Sequence, residues 1–421
     1  MAKEPSNDPV TGSNQSEKLE ELWEARNLPA SLLARARTLD ISDGRLAHLL
    51  SWDAPLERIE EEIEWTDRLR NGSMRFRQLT IADDAAFREL WANSPETIGE
   101  WDVTVERGED AFAQFELQER PVLNGLFDGG TMVACVSFSI RRTLVGGHSI
   151  VVHYGQAMRV DQAHRGRQYA HWVRSLPWAI GVGRATHLQY DYIRSGNMTM
   201  ESWNRKFMRK VETVPVRQDN VPGLPVTVLE YPARLGGASA NGIRPARVDD
   251  LEHCAALINR THAERDLFRP YTLSSITDRL DAGLAEGLDG RWHRPYALDN
   301  FYVLEREGNI ESCAGLWDRG RDVWERWRHR TNGDERVIAV TALLDFGFDR
   351  GSPDALATLV EFLIGVTHDL GRDYLVAPLG SLPEVAELLG SRDPVAETRY
   401  LQWRAERPAL TPPPYVDLVY W

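Results

Sequence analysis

The chain has 421 residues, 42% of them hydrophobic and 27% charged, with 49 basic against 63 acidic side chains and a net charge of −14. That length fits two or three domains of ordinary globular composition, and the acidic balance argues against broad binding to nucleic acid or to an anionic membrane. Cys135, Cys254 and Cys313 stand far apart with no CxxC pair, which points to buried thiols in a reducing compartment and away from a disulfide framework or a metal site. With no signal-like N-terminus and no apolar run near the ~18 residues of a membrane span, the expected location is the cytoplasm.

Residues 1–16 are polar and rich in Pro, Ser and Asn, and read as a disordered leader. Residues 17–72 read as a helical segment. Leu19, Leu22 and Trp23 share one stripe. Further on, Asp53 suits a cap, Pro55 a first turn, and Leu56, Ile59, Ile63, Trp65 and Leu69 supply apolar contacts up to Asn71-Gly72. Such a segment serves as an appendage for packing or for homodimer formation, or as a docking module.

From residue 73 the pattern changes to mixed strands and helices. "MRFRQLTIADDAAFRELWAN" reads as strand then helix, and "VLNGLFDGGTMVACVSFSIRR" as a hairpin turning at Asp128-Gly129-Gly130. "HSIVVHYGQAMRV" is a long strand. Beyond it come a helix, the strand "THLQYDYI", a loop and helix in "SGNMTMESWNRKFMRK", and two closing strands. This first α/β unit spans 73–234. The order then repeats over 235–410. "IRPARVDD" echoes "FRQLTIADD", and "EREGNIESCAGLW" echoes "FDGGTMVACVSF", with Cys313 falling where Cys135 does. Residues 411–421 form an extended tail.

The stretch "MRVDQAHRGRQYAH" (158–171) is the strongest chemical signal. A strand ends at Met158 and Val160, and a glycine-bearing turn follows, with Arg165 and Arg167 flanking Gly166 and Gln168, Tyr169 and Ala170 opening a helix. Free N–H groups and the positive end of a helix dipole, with a glycine for close approach and arginine forks for charge, make a phosphate cradle. A surface turn with locally paired arginines is the plainer alternative.

The strand "HYGQAMRV", this turn and its helix resemble the acyl-CoA loop of the GCN5-related N-acetyltransferases (GNAT). Arg165 fits the first position of that family's loop pattern and Ala170 the last, while Gln168 replaces the middle glycine. The resemblance covers residues 74–232 in motif and order, and 242–406 in order alone. It implies an α/β (α+β) architecture of two tandem GNAT-like folds, with mixed, mostly antiparallel sheets flanked by helices, behind a helical N-terminal segment. It implies acetyl-CoA, or another acyl-CoA, as cosubstrate and no metal. Met158 and Val160 would pair with the pantetheine arm, residues 165–170 would hold the diphosphate, and Asn197 would match a cofactor-contacting asparagine. Where the family often has a tyrosine acid, this chain has Asn204, and an amide cannot serve as one.

Acyl transfer from a thioester to an amine needs a polarised carbonyl, a deprotonated amine and tight positioning, the last worth roughly 7–11 kcal/mol in favourable cases. A strand N–H near Met158–Val160 is the expected oxyanion donor. The family often places a base near His153 and Tyr154. Strand alternation puts these two on opposite faces, so at most one lines a cleft. Glu100, Asp102 and Asp191 are candidate contacts for a cationic acceptor, either a small molecule or a peptide amine. In the second unit the turn "DFGFDRGSPDALA" keeps a helix start at Ser352-Pro353 but only Arg350 among acids, which reads as a degenerate copy. "VWERWRHR" either lines a pocket or packs. The leading expectation is an acyl-CoA-dependent N-acyltransferase with its site in 73–234. The alternatives are a non-catalytic acyl-CoA-binding or docking protein, or other thioester chemistry on the same fold.

Overall fold

The computed structural model describes residues 12–25, 28–39, 41, 46, 56–108, 111–165, 169, 173, 188–195, 197, 224–234, 241–281, 285–286, 292–293, 296–404 and 414–418. They form two compact units. One comprises the residues up to Arg77 together with Leu126–Thr131, and the other comprises Gln78–Gly125 and the residues from Met132 onward. Among the described residues no helix is long and apolar enough to cross a membrane.

The first unit contains α1 (Gly12–Ala25), α2 (Ala30–Thr38) and α3 (Leu56–Arg70). α1 begins inside the segment expected to be disordered. The Ser and Asn residues there suit a helix N-terminus as well as they suit a loop. The stripe read from sequence is buried: Leu19 and Trp23 of α1 pack with Ala36, Ile59 and Ile63, and Leu22 sits at the margin. Helices this short are marginal alone, so this burial, about 1.5–3 kcal/mol per large side chain, is what holds them. α3 stops at Asn71-Gly72, where Gly72 takes φ 77°. Arg68 near its end pairs with Asp128 at 2.5 Å. The two-residue turn beyond Asp128 uses Gly129 (φ 55°) and Gly130 (φ 97°), a backbone that L side chains resist.

In chain order the remaining elements begin with β1 (Met74–Gln78), α4 (Asp84–Ala92), β2 (Glu96–Ile98), β3 (Trp101–Arg107), β4 (Pro121–Asp128), β5 (Thr131–Val145), β6 (His148–Val160), β7 (Leu188–Arg194) and β8 (Leu224–Pro232). The later part of the chain adds β9 (Ile243–Pro245), α5 (Leu251–His262), α6 (Leu273–Asp281), the short pair β10 (Ala285–Glu286) and β11 (Trp292–His293), β12 (Phe301–Arg306) and β13 (Asn309–Trp317). It continues with β14 (Val323–His329), β15 (Glu335–Ile338), β16 (Val340–Phe348), α7 (Pro353–Asp369), β17 (Tyr374–Ala377) and β18 (Val395–Arg404). Pro353 sits in the first turn of α7 behind Ser352, as the sequence predicts, although the Ser352 hydroxyl makes no capping bond.

In the second unit one sheet runs β4-β5-β6-β7-β18-β8-β17-β16-β13-β12-β9, and a smaller one runs β15-β14-β3-β2. From β5 onward only β6·β7 and β16·β17 are parallel, so the large sheet is mixed and mostly antiparallel. The closing strands are exchanged. β18 from the end of the chain lies between β7 and β8, and β8 lies between β18 and β17. A single apolar core therefore spans both halves, from Val152 and Tyr190 through Val226 and Leu401 to Leu257 and Val376.

The internal repeat is visible in the ladders. β5 against β6 shifts register between Cys135 and Ser137, and β13 against β16 shifts between Cys313 and Gly315. Cys135 faces Arg159 and Cys313 faces Gly347, so the two cysteines aligned in sequence occupy matching places. Each bulge carries a non-glycine residue in the left-handed region: Ala157 (φ 53°) and Asp345 (φ 46°).

Candidate active site

β6 and β7 pair in parallel at Val152–Leu188, His153–Gln189 and Tyr154–Tyr190, and then part. β6 continues to Val160 along β5, and β7 continues to Arg194 along β18. A cleft of about 190 Å³ opens between them, with Gly155–Arg159 on one wall and Asp191–Arg194 on the other. Residues 155–159 spend one backbone edge on β5, which leaves the other edge facing the cleft for a ligand to complete. The bulge at Ala157 re-aims that edge, at a steric cost of about 1–2 kcal/mol for its left-handed backbone.

The sequence-predicted residues divide around this cleft. Tyr154, Met158, Asp191 and Asn197 line it. Tyr154 is buried against Tyr190 and Tyr192, and burial holds its hydroxyl well above the usual tyrosine pKa. His153 is fully buried and stacks on Phe138 with centroids 4.6 Å apart. Val160 ends β6, and its carbonyl accepts from Ser94 Oγ at 3.0 Å. Arg165 is exposed and donates to the carbonyl of Pro95 at 2.7 Å. Tyr169 is buried and stacked on His164. Gly166, Arg167, Gln168, Ala170 and Asn204 lie outside the described residues. Glu100 sits in the turn between β2 and β3, beside His329, and Asp102 on β3 accepts from Thr97. Arg350 in the second half is exposed and lies 3.9 Å from Glu264.

Other residues that build the cleft carried no sequence signal. Glu96 on β2 pairs with Arg159 of β6 and accepts from Asn197 Nδ2 at 2.9 Å, so one carboxylate joins three segments. The Arg159 guanidinium lies 4.1 Å from the Trp91 ring centroid. Arg107 lies as close to the same ring and is buried, and burial pulls its pKa down to about 9. Its Nη1 donates to the Ala111 carbonyl, its Nε has no partner, and no carboxylate pairs with it among the described residues. A desolvated cation in that state favours a ligand that brings an acceptor. Cys135 behind the bulge is pushed up to about 12 by burial and is an inert thiol.

Arg194, Arg319, Glu325 and Arg399 line both this cleft and a second cavity of about 380 Å³. Arg194 forks onto Glu325 (2.7 and 3.2 Å) and reaches Glu397 at 2.9 Å, which Arg399 also holds at 2.9 Å. Trp324 and Trp327 of β14 line the second cavity, so the "VWERWRHR" stretch faces a pocket.

At the matching bulge of the second half the chain's own side chains converge. Asp345 accepts from Tyr271 (2.5 Å), Tyr296 (2.7 Å) and Arg279 (2.6 Å), and Arg279 also holds Asp417 at 2.9 Å. Tyr296 lies so close over Gly315 that a Cβ there would sit 2.2 Å from its hydroxyl.

No family model and no curated protein matches this sequence. Solved structures do match. Two structures of Saccharomyces cerevisiae N-myristoyltransferase with bound myristoyl-CoA align at TM-score 0.50, with 12% and 13% identity, over 79% of this chain and 80% and 83% of theirs. A third, with myristoyl-CoA and inhibitors, aligns at TM-score 0.51 and 12% identity over 79% of this chain and 81% of its own. At such identity the likeness is one of fold: two tandem GNAT-like domains, as the sequence resemblance implied.

Proposed function

We propose that this protein is an acyl-CoA-dependent N-acyltransferase that moves an acyl group, acetyl in the first instance, directly from the thioester to a primary amine. The observation that carries the reading is the parting of β6 from β7 beyond Tyr154–Tyr190, with a bulge at Ala157 on a strand edge that has no partner among the described residues. The fold shared with proteins solved with myristoyl-CoA supports an acyl-CoA ligand. In this reading the pantetheine arm completes the edge at Met158–Val160. The turn from Arg165 to Ala170 holds the diphosphate, and Asn197, fixed by Glu96, contacts the arm from across the cleft.

The chemistry follows from the groups present. A bulge N–H polarises the thioester carbonyl. The amine, having lost its ammonium proton, attacks the carbonyl carbon. The C–N bond forms, the C–S bond breaks, the nitrogen gives up its second proton, and the departing thiolate takes one, so that the proton donor is restored. Tyr154 suits that last role, because burial keeps its hydroxyl protonated at neutral pH. His153, packed on Phe138, orders the strand. The second half is a degenerate copy whose bulge is filled by Asp345, Tyr271, Tyr296 and Arg279 and which binds no acyl-CoA.

The test is calorimetric titration with acetyl-CoA and with myristoyl-CoA, beside Arg165→Ala. Acetyl-CoA binding at one site per chain, weakened at least tenfold in the variant, is the expected result. No binding of either thioester overturns the reading, and preference for myristoyl-CoA overturns the acetyl assignment.

A further inference from the structure

Resting on that transferase reading, we infer that the 380 Å³ cavity beside the cleft is the acceptor subsite, and that Glu230 in it holds a second positive charge on the amine being acylated. The cavity lies between the large sheet and β14–β15 of the small one. Trp324, Ile338, Tyr374 and Val376 give it apolar walls. Its wall of Arg194, Arg319, Glu325 and Arg399 is shared with the cleft, so a molecule lying in it borders the thioester site.

Three glutamates line the cavity, and two are committed. Glu325 is held by Arg194 and accepts from Trp327 Nε1 at 2.9 Å; Glu397 is held by Arg194 and Arg399. Glu230 makes no ion pair among the described residues; its side chain hydrogen-bonds the Glu397 carboxylate. It stands on β8, flanked by Val376 of β17 and Val395 of β18, on the same sheet face as Glu397. Burial and the neighbouring Glu397 carboxylate push its pKa to about 8, with Glu325 adding to the effect and Arg194 opposing it. Arg336, Tyr374, Ser195 and Thr398 are further polar groups that line the cavity. A cation placed there would pair with the two carboxylates in place of the proton they share.

The ladder fixes the spacing. Val395, beside Glu230, is four residues from Arg399, and β8 is one strand away from β18. At ~3.3 Å per residue and ~4.8 Å per strand, the Glu230 backbone is about 14 Å along the sheet from that of Arg399 on the cleft wall. The charge it holds therefore belongs to the far end of an elongated acceptor and not to the reacting nitrogen. The substrate class is a linear amine with two or more cationic nitrogens.

The experiment titrates spermidine and n-butylamine into wild type, E230Q and E230D at pH 8.5, with acetyl-CoA binding measured on each. Expected are spermidine binding at least tenfold tighter than n-butylamine in wild type, a fall to the n-butylamine level in E230Q, partial retention in E230D, and acetyl-CoA binding alike in all three. Spermidine binding that is absent in wild type, or equal in wild type and E230Q, overturns the inference. Glu230-dependent spermidine binding without acetyl-CoA binding would overturn the transferase reading alone.

Discussion

Replacing Asp345 by Asn tests how the second half of the large sheet is held. Asp345 is 2% exposed and carries three donors: Tyr271 on Oδ1, and Tyr296 and Arg279 on Oδ2. Removing one member of a buried ion pair costs about 3–5 kcal/mol, since the other charge stays behind in a low dielectric. Two features hold the cost to the lower end. Arg279 keeps Asp417 as a second partner, and Asn tolerates the left-handed backbone at φ 46° as well as Asp does. The amide oxygen can keep Arg279 and Tyr296, which leaves Tyr271 to accept from the amide N–H. About 3 kcal/mol is therefore expected. At ~2 °C per kcal/mol for a domain above about 200 residues, the melting temperature falls by about 6 °C. Acetyl-CoA affinity stays within about twofold, because the change lies at the second bulge and not at Ala157. A fall below about 2 °C would refute the view that this network holds the second half. A large loss of acetyl-CoA affinity would refute the assignment of binding to the first half alone.

Two further outcomes follow from buried groups. Arg107→Met removes a buried cation that has no carboxylate partner among the described residues while keeping its length, so the melting temperature should rise by ~2 °C or more even as acetyl-CoA affinity falls about tenfold. A lower melting temperature with unchanged affinity would mean that Arg107 is purely structural. His262 is fully buried, has Nε2 2.9 Å from the Phe346 carbonyl, and has its pKa pulled down to about 3 by burial. A depressed pKa means that its contribution is present above the ordinary value of 6.5 and is lost as pH falls toward 3. Melting curves from pH 7 to pH 4 should show a decline that is shallower in His262→Gln, and equal slopes would contradict it.

What the sequence disclosed was local or repeated. The Leu19–Trp23 stripe and the Asp128-Gly129-Gly130 turn are set by spacing and by glycine's backbone freedom, and each appears where expected. The match of Cys313 to Cys135 survives because a bulge and its neighbours recur together. The long strand ending at Val160 was legible, and so was the alternation that sends Tyr154 and His153 to opposite sides. What escaped depends on long-range pairing. β14 meets β3 from Val323–Arg107 to His329–Trp101, more than 200 residues apart in sequence, and this brings Glu325 and Arg319 to the same cleft as Arg107. Arg194, Arg399, Glu397 and Glu230 are single charges in alternating strands, and each alone reads as a solvated face. Only the exchange of β8 and β18 turns them into one buried network.

That exchange also decides whether the two repeats are separable. A fragment ending at residue 234 keeps β7 and β8 but loses β18, which fills the gap between them through six residue pairs to β7 and seven to β8. It also loses β14, the partner of β3, and Glu325 and Glu397, the partners of the half-buried Arg194. Two strand edges would face solvent over an apolar core, and Arg194 would lose both of its carboxylate partners. Against a total stability of ~5–15 kcal/mol, the fragment has no reserve. It should be aggregated or should lack a cooperative melting transition, and co-expression with residues 235–421 should restore both a soluble complex and acetyl-CoA binding. A monomeric 1–234 fragment that melts cooperatively and binds acetyl-CoA would show that the first repeat closes its own sheet, and that β18 is a replaceable lid instead of a wall of the cleft.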